Sequence, residues 1–226
     1  MSKPGASVPV HRVRFVDWSP SAITALALSP VAWTESAATG RSVLAIGRDN
    51  GNIDLCTWCE GQSGSIAQGW SPVWTLLGEE NYKIESLAFT ASASHLRLFS
   101  TSGGSIVSEH FLPSSLTGQQ AADTRTPTRT LSSHGGAIWS MAASPTGKFL
   151  AIGCEDGVVR LIDVAGDAFE HVGTGMHVAP RMTRVASRIL SLAWGPPRRQ
   201  MASSNDSDDD QDEAWRDTYR LGALAT

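Results

Sequence analysis

The sequence predicts an all-β protein: four-stranded antiparallel units stacked face to face around an axis, an incomplete β-propeller of about three and a half blades. Three observations carry this reading. A strand pattern recurs along the chain, a glycine turn sits at the same place in successive copies, and the composition combines turn formers with enough apolar residues for a core. Of 226 residues, 21 are Gly and 11 Pro, 41% are hydrophobic and eight are Trp. Charged residues make up 18%, below the roughly 25% of ordinary soluble domains. Global disorder needs the opposite mix, low hydrophobicity with high net charge. A formal net charge of −4 excludes a strongly basic nucleic-acid binder.

The first strands of the copies are ITALALSP from Ile23, IESLAFT from Ile84, IWSMAASP from Ile138 and ILSLAWGP from Ile189. Each opens on a β-branched residue and alternates small with apolar residues, the pattern of a strand with a buried face. In the first three copies a second strand, a glycine turn and a third strand follow: VLAIGRDNGNIDL from Val43, LRLFSTSGGSIVS from Leu96 and FLAIGCEDGVVRL from Phe149. The turn glycines Gly51, Gly104 and Gly157 each stand 53 positions after the last. Asn50-Gly51 and Asp156-Gly157 suit a two-residue hairpin, where positive φ is required. Fourth strands are expected at PVWTLL near Trp74, at PTRTL near Leu131 and, more weakly, around Val172. Four antiparallel strands per unit make a propeller blade, and stacking neighbours buries both faces of each.

The fourth copy breaks off. Its first strand ends at Pro196-Pro197, an acidic disordered insertion spans 203–217, and YRLGALAT from Tyr219 begins a second strand. At about 53 residues per unit the chain holds roughly four units. Residues 1–10 are a flexible tail, and residues 11–226 form the N-terminal part of a propeller. The opening strand HRVRFVDW from His11 has no partner in its own repeat and is the kind of strand that completes a last blade. The expectation is a fragment, or a truncated gene model, of a longer propeller protein. No apolar run approaches the ~18 residues of a membrane helix, and MSKPGASVPVHR lacks the apolar stretch of a signal peptide. Three cysteines, Cys56, Cys59 and Cys154, are too few and too odd for a disulfide framework, which suits a reducing compartment.

The blade pattern resembles WD40 repeats, best in the third copy. His134 stands where such a blade carries the His of its Gly-His pair, Asp156 stands where a carboxylate bonds that His, and Ile162-Asp163 replaces Trp-Asp. Longer strings resemble cirhin-type proteins: HRVRFVDWSPSAITALALSP, LAIGRDNGNIDL, GGAIWSMAASPTGKFLAIGCEDGVVRLIDV and SRILSLAWGP. The acidic insertion followed by Trp215 fits the same family. These are WD40 subunits of the small-subunit processome, associated with the U-three small nucleolar RNA. The resemblance implies a non-catalytic scaffold in the nucleus and nucleolus that supports pre-rRNA processing and small-subunit biogenesis, with some members linked to ribosomal DNA transcription. The partners it implies are other processome subunits, with pre-rRNA and small nucleolar RNA in the same particle. A general WD40 adaptor in ubiquitin ligation, chromatin or trafficking, or a non-functional truncated product, is the alternative.

The residues themselves offer little chemistry. Cys56 and Cys59 form a C-x-x-C, but no second ligand pair follows to complete a zinc site; packing is the simpler role. His134 with Asp156 reads as a structural pair, since a buried imidazole must find an acceptor, and no nucleophile elbow surrounds Ser140 or Ser144. Gly103-Gly104 and Gly135-Gly136 lack the phosphate-loop pattern. No enzyme, cofactor or metal is expected. Arg12 and Arg14 share one face of the opening strand, Arg181, Arg184 and Arg188 precede the fourth copy, and Arg198-Arg199 follow its first strand. On a ring these either gather into a patch that neutralises RNA phosphates or remain solvated surface arginines. Ser203, Ser204 and Ser207 beside the acidic run suit an acid-directed kinase.

Overall fold

Alternating apolar residues and tight turns give antiparallel sheets wherever the computed structural model describes the chain, at residues 21–30, 42–59, 69–78, 82–91, 96–112, 127–172, 184–197 and 219–225. Unit 1 comprises β1 (Ile23–Leu28), β2 (Val43–Arg48), β3 (Ile53–Cys59) and β4 (Gly69–Leu76). Unit 2 comprises β5 (Ser86–Ala91), β6 (Leu96–Thr101), β7 (Ile106–Leu112) and β8 (Arg129–Ser132). Unit 3 comprises β9 (Ile138–Ala143), β10 (Phe149–Cys154), β11 (Val159–Asp163) and the two-residue β12 (Glu170–His171). Within each unit the strands pair in chain order. Unit 4 is the antiparallel pair β13 (Ile189–Pro197) and β14 (Tyr219–Ala225). The first strands lie against one another in sequence, β1 on β5, β5 on β9 and β9 on β13, so the sheets stack as successive blades. Among the described residues the propeller is not closed. The opening strand from His11 and the 203–217 insertion fall outside the described residues.

Strand periodicity sorts the side chains of unit 2 onto two faces. Leu87, Phe89, Leu96 and Leu98 turn toward Val43, Ala45, Ile53 and Leu55 of unit 1. Ala88, Phe99 and Val107 turn the other way, onto Ile138, Leu150, Ile152 and Ile162 of unit 3. Ile189 of unit 4 in turn packs with Ala151 and Val159. Each buried aliphatic side chain of this kind contributes about 1.5–3 kcal/mol. The β-branched residue that opens a repeat plugs into the unit before it. A Cβ on Gly47 would stand 2.6 Å from Cγ2 of Ile84, and one on Gly153 would stand 2.5 Å from Cγ2 of Ile189. Those two strand glycines therefore admit the neighbour's isoleucine. The register-equivalent position in unit 2 is Thr101, whose Oγ1 is buried without a hydrogen-bond partner.

The turns depart from the two-residue hairpins expected. In unit 1 the Arg48 N–H donates to the Asn52 carbonyl (2.9 Å) and the Gly51 N–H to the Arg48 carbonyl (3.3 Å). Unit 3 repeats this from Cys154 to Val158, at 3.3 Å and 3.2 Å. Both are three-residue loops, a turn closed by a left-handed glycine, with φ 83° at Gly51 and 75° at Gly157. The side chains of Asn50 and Asp156 hold the turn by accepting from the N–H two residues on, each at 3.1 Å.

Gly104 is not their equivalent. The register pairs Gly47 with Ile53, Thr101 with Val107 and Gly153 with Val159. The turn centres are thus Asn50, Gly104 and Asp156, 54 and then 52 positions apart. In unit 2 the left-handed residue is Gly103, with φ 65°. The equal spacing of the three glycines masks this shift of one residue. Gly104 instead offers its carbonyl to the Ile138 N–H at 3.0 Å, tying the turn to unit 3.

Candidate functional site

Three segments converge at one end of unit 3: the β8–β9 loop with His134, the β10–β11 turn with Asp156, and the lead into β13 with Arg184 and Arg188. Backbone bonds fix them together. The Asp156 N–H donates to Gly135 (3.2 Å), Glu155 to Ala137 (2.9 Å) and Val185 to Gly157 (3.0 Å). A Cβ on Gly157 would lie 2.2 Å from the Val185 carbonyl oxygen, so only glycine allows this approach.

The expected bond between His134 and Asp156 is not made. Arg160, four residues along the same hairpin, donates to both carboxylate oxygens of Asp156, at 3.0 and 2.7 Å. These bonds, ahead of the Val158 N–H, hold the Asp156 carboxyl below its ordinary range against the opposing cost of burial. The Arg160 guanidinium lies over Gly135, where a Cβ would meet its Nη1 at 2.2 Å, and it also reaches the His134 carbonyl at 3.3 Å. His134 itself is exposed, with φ 53°. Its ring centroid lies 5.3 Å from that of His171. An exposed imidazole is solvated and has no need of the buried acceptor that the sequence reading assigned to it.

Arg184 and Arg188 belong to this same end. Arg184 Nε donates to the Asp156 carbonyl at 3.0 Å. The guanidinium of Arg188 sits 4.7 Å from the centroid of Trp139, whose indole N–H bonds the Glu155 carboxylate. The result is a surface with three arginines, two carboxylates and one indole, polar and close to charge balance. Arg12, Arg14, Arg181, Arg198 and Arg199 lie outside the described residues. Cys56 is buried, and desolvation, ahead of nearby Asp54, pushes its thiol pKa up, the opposite of an activated thiolate.

The sequence reading missed a second polar cluster, at the contact of units 2 and 3. Arg97 on β6 and Glu109 on β7 are both fully buried and paired. Arg97 also donates to the carbonyls of Val164 (2.7 Å), Gly166 and Ala168 (2.8 Å each) in the β11–β12 loop. Arg129 adds bonds to Glu109 and to the Asp167 carbonyl, the latter at 2.8 Å. Phe99 and Phe169 flank the guanidinium groups, 5.1 Å from Arg97 and 5.5 Å from Arg129 respectively. Two charged residues of unit 2 thereby clasp a loop of unit 3. The signal was present in LRLFS and SEHF: a lone cation and a lone anion within apolar strands that pair with each other.

Stacked four-stranded antiparallel sheets with the first strands side by side are the arrangement of β-propeller blades. The WD40 family, described as WD domain, G-beta repeat, matches residues 125–163, which span β8 of unit 2 and β9 to β11 of unit 3. The chain is homologous to U3 small nucleolar RNA-associated protein 4. It is 33% identical to that protein of Saccharomyces cerevisiae over 82% of the present chain and 21% of the relative. To the Homo sapiens homologue it is 30% identical over 87% of the chain and 23% of the relative. It thus spans about a fifth of the length of the curated relatives it matches. Among solved structures, a chain from the crystal structure of an active polycomb repressive complex 2 in the basal state aligns with a TM-score of 0.55. That likeness covers 76% of the present chain and 33% of the other at 15% identity, and it is one of fold alone.

Proposed function

We propose that this chain acts as a non-catalytic scaffold in the small-subunit processome, supporting pre-rRNA processing and small ribosomal subunit biogenesis in the nucleolus. The observation that carries the proposal is homology to U3 small nucleolar RNA-associated protein 4 along more than four-fifths of the chain. The relatives' name ties them to U3 RNA, and blades present loops and turns to partners while their strands stay packed. In this reading the chain holds other processome subunits, with pre-rRNA and U3 RNA in the same particle, and the link to ribosomal DNA transcription is part of the same role. Arg184 and Arg188 are its candidate RNA contacts, beside the half-buried indole of Trp139 on unit 3.

The test is a pull-down of the protein tagged at its native locus, with bound RNA probed at rising salt. Enrichment of U3 RNA and of the 5′ part of the small-subunit precursor is expected. Retention at high salt assigns the association to protein contacts, because phosphate contacts weaken steeply with salt. Recovery of an unrelated protein set without these RNAs overturns the proposal in favour of a general WD40 adaptor.

A further inference from the structure

The β2–β3 and β10–β11 turns share one three-residue loop, but the residue before the left-handed glycine is an amide in unit 1 and a carboxylate in unit 3. That difference decides which turn can react with itself. In an Asn-Gly pair the glycine nitrogen can attack the side-chain carbonyl carbon of the asparagine, and glycine puts no Cβ in its way.

At Asn50 the parts of that reaction are assembled. The side chain is exposed, and its Oδ1 accepts from the Asn52 N–H at 3.1 Å. The ring closed by this bond runs through Cγ of Asn50 and the nitrogen of Gly51, so electrophile and nucleophile are held within one tight loop. The same N–H lies on the oxygen that becomes negative when the nitrogen adds, the position of an oxyanion donor. The Gly51 N–H is bonded to the Arg48 carbonyl at a long 3.3 Å. Gly51 also lines, with His110, a cavity of about 240 Å³ between units 1 and 2, ample for water.

Asp156 is made inert by its surroundings. It is half-buried, and Arg160 donates to both its oxygens at 3.0 and 2.7 Å. Those bonds hold the carboxylate ionised, and an ionised carboxylate offers the Gly157 nitrogen no leaving group. The register places Asp54 in unit 1 where Arg160 stands in unit 3. Asp54 is itself engaged by Arg48 Nε at 2.9 Å and Thr75 Oγ1 at 2.8 Å. A carboxylate at position 50 would meet a second carboxylate where its counterpart meets a guanidinium.

We propose that Asn50 is a deamidation site of the folded chain. The Gly51 nitrogen gives its proton to solvent base and bonds to Cγ of Asn50. The bond from Cγ to the side-chain nitrogen breaks, and that nitrogen takes a proton from water and leaves as ammonia. Water then opens the cyclic imide at either carbonyl, giving aspartate at position 50 or an isoaspartyl link that routes the main chain through Cγ. The site belongs to unit 1 and does not rest on the processome reading.

The test incubates the full 226-residue chain, folded and in urea, in mildly alkaline buffer beside the free peptide of residues 48–54, RDNGNID. Digests are mapped by mass and probed with an isoaspartate methyltransferase. In the folded chain Asn50 should give both products at a rate within about tenfold of the free peptide, a barrier difference of about 1.4 kcal/mol. Asp156 should form no isoaspartate until urea releases it from Arg160. Asn50→Gln, whose longer side chain closes the ring poorly, should stay intact, with a thermal melt confirming its fold. The proposal is overturned if Asn50 survives in the folded chain while the peptide converts, or if conversion occurs only in urea. Equal isoaspartate at positions 50 and 156 of the folded chain overturns it too, because the turn chemistry would then not discriminate.

Discussion

Units 1 and 2 carry the same strand pattern, yet the structure treats them differently. Of the isoleucines that open the four repeats, Ile84, Ile138 and Ile189 are buried to 4%, 1% and 1%, whereas Ile23 is 55% exposed. Leu26 and Leu28 of β1 are likewise 60% and 55% exposed, while every residue of β6 in unit 2 is buried, its arginine included. Unit 2 has a neighbour on each face. Among the described residues unit 1 has one, on the side of Ala25 and Ala27. Burial in a stacked array therefore belongs to a strand's place in the stack more than to its own residues, as expected where each repeat contacts only its neighbours.

The strongest way to break this comparison is to unpair the charge that unit 2 hides. Glu109→Ala leaves Arg97 buried without its carboxylate, and we expect a loss of about 3–5 kcal/mol, read as a lowered urea midpoint. A loss below ~1 kcal/mol means that the carbonyls of the β11–β12 loop satisfy Arg97 unaided. Next in size is a paired truncation. Leu98→Ala, at a site with no exposed surface, should cost about 2–5 kcal/mol, against roughly 0.5 kcal/mol for Leu26→Ala on the open face of unit 1. Equal costs at the two sites would show that in solution the open face is covered.

Acid titration sharpens the contrast at the cavity between the two units. The folded-state pKa of His110 is lowered from 6.5 to about 4, so between those values the unfolded chain binds the additional proton. Stability from the neutral ring is present in full above 6.5 and is lost as pH falls toward 4, by on the order of 2–3 kcal/mol. A His110→Gln variant should flatten that part of the stability profile; an unchanged slope would place the titration elsewhere. The smallest expected effect compares turns. Gly157→Ala meets both a positive φ and the Val185 carbonyl and should cost about 1–3 kcal/mol. Gly104→Ala, with its nearest outside atom at 3.9 Å, should stay within ~0.5 kcal/mol. Equal losses in the two melts would restore the equivalence that the spacing of these glycines suggests.

The positions of the strands were legible because alternation and turn formers are local signals. Ile23, Val43, Ile138, Phe149, Ile189 and Tyr219 each begin both the expected segment and the observed strand. Even the two-residue β12 lies beside Val172, where the weakest strand was expected. Register was less legible. The left-handed residue at Gly103 and the three-residue loops depend on which cross-strand pairs form, and in a hairpin that register is fixed by the turn type and loop length actually adopted.

The candidate site was legible only as a location. The sequence identified the turn of unit 3 and the arginines before β13, but it assigned Asp156 to His134. The competition with Arg160 is decided by distance across a folded hairpin. Composition and period-two alternation are enough to specify a repeating, all-β chain whose units must stack to bury their faces. Which unit hides a charged pair, which face of unit 1 packs on unit 2 and where a cavity opens between them emerge only in the folded stack. Those outcomes depend on contacts between repeats far apart in sequence, and such contacts are set by the packing of one whole sheet against the next.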